Sequence, residues 1–134
     1  MAEEGQKPLN FLRSIPAKGA AGVSTRLKSI KLLFDKNVVN DSVWANNRKQ
    51  IKMWAGTQKI PARFTVTRIK DTVDFSERNN IFIKPRGNLL PFTKYTIAIL
   101  PELTSKNGQT LGKTVVITFT TGKKSTTPVI PVQE

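Results

Sequence analysis

The sequence predicts an all-β fold, an antiparallel β-sandwich of about seven or eight short strands. Three observations predict it. Apolar and polar residues alternate in short runs, the period-2 signature of half-buried strands. Turn-forming residues punctuate those runs, and no segment carries the 3.6-residue period of a long helix. The length, 134 residues, suits one domain with one core. A small barrel is the alternative closure of the same strands.

Residues 1–10 are polar and aperiodic and read as a flexible lead-in or linker, with order expected from near Asn10. Phe11 to Pro16 reads as a first strand ended by proline, and Lys18 to Val23 as a small-residue loop whose two glycines suit a crossing at a sheet edge. Lys28 to Phe34 is a second strand with Ile30, Leu32 and Phe34 on one face. Asn40 or Asp41 is placed to cap a single helical turn through Ser42, Val43 and Trp44, because a short side-chain oxygen accepts from exposed backbone amides.

Ile51 to Trp54 reads as a short strand turned by Ala55-Gly56-Thr57, and Ile60 to Ile69 as another with Phe64 and Val66 inward. Val73 and Phe75 alternate with Thr72 and Asp74 before Arg78-Asn79-Asn80 turns into Ile81-Phe82-Ile83-Lys84-Pro85. Leu89 to Leu100 organises the whole. Its front half is a corner on Pro91, and its back half places Tyr95, Ile97 and Ile99 on one face. A tyrosine after such a corner buries its ring while its hydroxyl ties back to upstream backbone, a device of immunoglobulin-like sandwiches. Lys106-Asn107-Gly108 is a turn signal, and Val115, Ile117 and Phe119 mark the last strand. The expected core is Ile30, Leu32, Phe34, Ile81, Ile83, Tyr95, Ile97, Ile99, Val115, Ile117 and Phe119. Residues 11–122 thus form the sandwich domain, and residues 123–134, polar and punctuated by Pro128 and Pro131, read as a flexible linker or tail.

Composition narrows the chemistry. No apolar run approaches the ~18 residues of a membrane span, and no signal peptide precedes the domain, so a soluble chain without membrane insertion is expected. Cysteine is absent, which removes disulfides and thiol catalysis; histidine is absent, which removes the commonest general base and a common metal ligand. A serine nucleophile would need lysine as its base, yet no Ser-x-x-Lys occurs, and no glycine-rich phosphate loop follows a strand. No enzyme and no cofactor are expected. The net charge of +13, from 22 basic against 9 acidic residues, favours an anionic partner or reflects solvated strand faces.

Four pieces in order carry a family resemblance. They are Ser14-Ile15-Pro16-Ala17-Lys18-Gly19-Ala20-Ala21-Gly22-Val23; Ile30-Lys31-Leu32-Leu33-Phe34-Asp35-Lys36-Asn37-Val38; Ile83-Lys84-Pro85 with Leu90-Pro91-Phe92-Thr93-Lys94-Tyr95-Thr96-Ile97; and Thr118-Phe119-Thr120-Thr121-Gly122. Together, from about Phe11 to Gly122, the chain resembles bacterial Ig-like domains of the SbsA S-layer type. The resemblance implies a sandwich found in tandem within large exported proteins, where it serves as spacer or contact surface, at the cell surface or outside the cell. It implies neighbouring domains of the same polypeptide as partners. Such domains often carry an acidic residue in the loop before the last strand, where a cation sits. Here that loop is Ser105-Lys106-Asn107-Gly108-Gln109, and its lysine counts against calcium, so no metal site is expected.

The candidate ligand surface is the stretch from Trp44 to Lys70. It holds Arg48, Lys49, Lys52, Lys59, Arg63, Arg68 and Lys70 with no acid until Asp71, and it includes Trp54. Cations beside exposed rings could grip a polyanion and stack on sugar or base faces. The plainer reading sets Trp44 or Trp54 into the core and leaves the cations as wet strand faces. An anionic cell-wall polymer or glycan is the expected class of partner, held by charge and counterion release; specific nucleic-acid recognition is not expected. Asp71, Asp74 and Glu77 recur at spacing three, but Lys70 and Arg78 beside them favour local pairing over a shared site.

Overall fold

A computed structural model describes residues 7–125. Nine strands form two sheets: β1 (Phe11–Ile15), β2 (Ala20–Val23), β3 (Ile30–Phe34), β4 (Ile51–Ala55), β5 (Ile60–Pro61), β6 (Phe64–Thr67), β7 (Asn80–Pro85), β8 (Lys94–Ile99) and β9 (Val115–Thr121). One sheet has the order β1-β3-β7-β6, the other β2-β9-β8-β4-β5. All pairings are antiparallel except β2 with β9. This is the β-sandwich that the alternation predicts, with nine strands in place of seven or eight and one parallel pair.

The facing sides bury every second residue, as the pleat requires. Ile30, Leu32 and Phe34 of β3 and Ile81 and Ile83 of β7 meet Ile51 and Met53 of β4, Tyr95, Ile97 and Ile99 of β8, and Ile117 and Phe119 of β9. Val115 is only partly buried, at the start of β9. The Tyr95 ring stacks on its cross-strand partner Phe119 at 5.4 Å. Its hydroxyl accepts from the Leu90 amide at 2.7 Å, closing the corner that Pro91 begins. Leu9, Val38, Val39, Leu103 and Leu111 complete the core and were not on the expected roster, because they lie outside the alternating runs.

Several expected elements are placed differently. Residues 18–23 are not simply a loop: Ala20–Val23 is β2, and it joins the sheet opposite to β1, so the edge crossing falls between them. Gly22 adopts φ +66, and a Cβ on Gly122 would lie 3.3 Å from Gly22 Cα, so close backbone approach selects small residues here. Ile60 to Ile69 is not one strand. Ala62 and Arg63 carry the chain from β5 in one sheet to β6 in the other. Val73 and Phe75 do not form a strand either; they stand exposed in a turn and a 3-10 helix, Phe75–Glu77, whose N-cap Asp74 accepts from the Ser76 amide. The single helical turn is a seven-residue helix, α1 (Asp41–Asn47), capped by Asn40 accepting from the Ser42 amide at 3.0 Å. No described helix is long and apolar enough to cross a membrane.

The chain comes in and leaves at opposite poles. Just past the end of β3, the Asp35 amide donates to the Asn10 carbonyl, while the Asn10 amide and side-chain Nδ2 both donate to the Asp35 carboxylate. Gly122 accepts from the Phe92 amide, and the Ser125 amide donates to Thr25 Oγ1 ahead of β3. The proposed tail beyond residue 125, and residues 1–6 of the lead-in, lie outside the described residues.

Candidate functional site

The sheet pairing disperses the basic stretch. In β4, Ile51, Met53 and Ala55 point into the core, so Lys52 and Trp54 point out. Arg48 and Lys49 follow the last turn of α1, whose carbonyls favour nearby cations. Opposite them stands Arg86, just past β7, its amide donating to the Arg63 carbonyl at 3.0 Å. Arg48, Lys49, Lys52 and Arg86 line one groove of about 450 Å³ on the flank where β4 and β6 approach, with Ile51, Phe64 and Val66 as apolar lining. No carboxylate lines it. None of these four cations forms an ion pair among the described residues.

The other sequence candidates lie elsewhere. Arg63 borders a separate, largely apolar cleft of about 390 Å³ that reaches Leu89 and Tyr95, which it shares with Arg86. Lys59 sits at the β4–β5 turn with φ +52, and Lys70 is exposed in the loop after β6, where its carbonyl accepts from Val73 and Asp74. Arg68 is committed to structure. It donates to the Val39 carbonyl at 2.6 Å and to Asp41 at 2.7 Å, and its guanidinium lies 5.2 Å from the centre of the Trp44 ring.

Neither tryptophan lines the groove. Trp44 is half-buried and packs against the core from α1. Trp54 faces outward between Thr96 and Pro61 and is half-buried there. Trp54 shares the outward face of β4 with Lys52, whereas Trp44 sits on α1. Arg86 was missed because it lies outside the 44–70 window; only the Phe64–Pro85 register brings it alongside.

The acidic triplet does not converge. Asp71 accepts from Asn37 at 3.0 Å and Asn40 at 2.9 Å, and these bonds hold its carboxyl below the ordinary value of 3.8. Asp74 caps Ser76, while Glu77 accepts from Asn80 at 2.8 Å and lies 3.9 Å from Lys31. No group of three candidate metal ligands gathers among the described residues. In the Ser105–Gln109 loop, the Ser105 hydroxyl accepts from the Gln109 amide, and the backbone closes on itself without a carboxylate.

The geometry is that of a sandwich with a basic flank, and comparison agrees on the class. The bacterial Ig-like domain model matches residues 5–121, and the chain belongs to that family. Among solved structures, the N-terminal part of the bacterial S-layer protein SbsC shares the fold with a TM-score of 0.60 at 15% identity, over 89% of this chain and 24% of that one. CopC from Methylosinus trichosporium OB3b aligns with a TM-score of 0.55 at 10% identity, over 85% of this chain and 93% of that one. The LD transpeptidase LdtMt1, solved in complex with imipenem, aligns with a TM-score of 0.51 at 14% identity, over 87% of this chain and 41% of that one. The chain spans a quarter or less of the S-layer structures it resembles. No curated protein matches it in sequence.

Proposed function

We propose that this domain is a non-catalytic structural module, of the SbsA S-layer type, within a larger bacterial cell-surface or exported protein. Its role is to hold neighbouring domains apart at a fixed spacing. The observation that supports this reading is the placement of Asn10 and Ser125 at opposite poles of one continuous core, a geometry that suits an axial spacer. The separation of the carboxylates and the lack of histidine and cysteine agree with a role without chemistry. Two copies joined end to end in one polypeptide test it by small-angle X-ray scattering. An extended particle with about twice the single-copy length is expected; a folded-back particle overturns the spacer.

The net charge of +13 and the groove cations favour a second role, adhesion to anionic envelope polymers. Attraction of this kind rests on counterion release and weakens steeply with salt. NMR titration with purified anionic wall polymer at low and near-physiological salt should give shifts spread over the basic surface that vanish in salt. Absence of shifts at low salt contradicts adhesion. Salt-resistant shifts within residues 44–70, matched by DNA or neutral glycan, would favour a dedicated glycan or nucleic-acid module.

A further inference from the structure

We propose that the flank groove receives an extended acidic polypeptide segment as an added strand along β6. This goes beyond the spacer reading and does not depend on it. The first support is the hydrogen-bond phase of the sheet. In antiparallel pairs, alternate residues exchange backbone bonds with their partner, and those between point the other way. The Phe34 amide donates to the Asn79 carbonyl, which by alternation makes Leu32–Ile81 and Ile30–Ile83 the bonded pairs of β3 with β7. Phe82 and Lys84 therefore turn to β6, opposite Thr67 and Thr65, and the Arg86–Arg63 bond continues that series.

Phe64 and Val66 lie opposite Pro85 and Ile83, the positions between. Pro85 has no N–H to give, as this phase requires. The amides and carbonyls of Phe64 and Val66 consequently face the open side of the sheet, and they have no partner among the described residues. Across the groove, β5 pairs with β4 at Trp54 and Ala55 and the Ala62 amide donates to the Met53 carbonyl, so among the described residues no strand pairs with the outer edge of β4 at Ile51.

The remaining edges are poor templates. β5 has two residues, one of them Pro61, and the pairings of β1 and β2 both contain register shifts. β6 is regular, with neither proline nor glycine.

Charge selects the occupant. Arg48, Lys49, Lys52 and Arg86 border the same groove without a carboxylate, so a second basic copy of this chain is repelled while an acidic strand is attracted. A polyphosphate or acidic glycan would satisfy the cations, but it would leave the edge amides and carbonyls without their alternating partners. A peptide strand meets both demands.

The test uses the full chain, 15N-labelled, with a capped peptide of alternating glutamate and valine about eight residues long. At saturation the Phe64 and Val66 amides should exchange with solvent on the order of tenfold more slowly. A peptide with alternate backbone nitrogens methylated should lose that protection, and a lysine-for-glutamate peptide should not bind. The Lys49→Glu/Lys52→Glu protein, altered only at exposed positions, should keep its spectrum and lose binding. No binding of the glutamate peptide overturns the proposal. So does binding without protection at Phe64 and Val66, or inorganic polyphosphate reproducing the peptide's effect in full, since either makes the groove a purely electrostatic surface.

Discussion

The side chain of Asn47 holds the loop at Thr104 from both sides. Its Nδ2 donates to the Thr104 carbonyl at 2.7 Å, and its Oδ1 accepts from the Thr104 amide at 2.9 Å, while Nδ2 also donates to the Val38 carbonyl at 2.8 Å. Asn47 is fully buried at the end of α1. One amide thus joins the helix, the segment after β3 and the loop after β8. Replacing it by alanine strands buried donors and acceptors, each costing about 1–3 kcal/mol. Asn47→Ala should lower stability by about 3 kcal/mol in urea unfolding, with the folded secondary structure retained.

Tyr95→Phe isolates the corner. The ring stays on Phe119, but the Leu90 amide loses its acceptor. The expected loss is about 1 kcal/mol, with faster hydrogen exchange at Leu90 as the local signature.

Arg68 is a structural cation. Arg68→Ala removes the partner of the Val39 carbonyl and uncovers the Trp44 ring. Its pair with Asp41 is discounted, because the Asp41 side chain is 75% exposed. The expected loss is about 1–2 kcal/mol, accompanied by stronger acrylamide quenching of Trp44 in a Trp54→Phe background.

Asp71 gives stability a pH dependence. Hydrogen bonds from Asn37, then Asn40, favour its ionised form and depress its folded-state value below 3.8. Its contribution is therefore fully present above the unfolded value and is lost as pH falls through the folded one. Asp71→Asn should narrow its stability gap to the parent protein as pH drops below 3.8, measured by unfolding at several pH values. A gap that does not change with pH would contradict the role of ionised Asp71.

The parts legible in the sequence were those where one physical signal acts alone. Ile30, Leu32 and Phe34, or Tyr95, Ile97 and Ile99, alternate because one face of a strand meets the core while the residues between them lie on the outer face of the sheet. Alternation does not record a change of sheet, so the crossing at Ala62 and Arg63 was invisible inside an apparently continuous strand. It also misled at Val73 and Phe75, where Asp74 capping Ser76 turns the chain instead. β2 escaped notice because Ala20, Ala21 and Gly22 offer too little side chain to show a period. The site suffered most. A basic run in sequence is divided among elements: Lys52 and Trp54 share the outward face of β4, the crossing carries the chain on to β6, Arg68 is held by Val39 and Asp41, and Arg86 arrives only through pairing.

The spacer account rests on a fixed distance between the poles. Because the chain contains no cysteine, spin labels on Pro8→Cys and Lys123→Cys report that distance without interference. Double electron–electron resonance should give one narrow distribution at or beyond the length of β9, about 23 Å. A distance below about 15 Å, or a broad distribution, would contradict a rigid sandwich that separates what lies on either side of it.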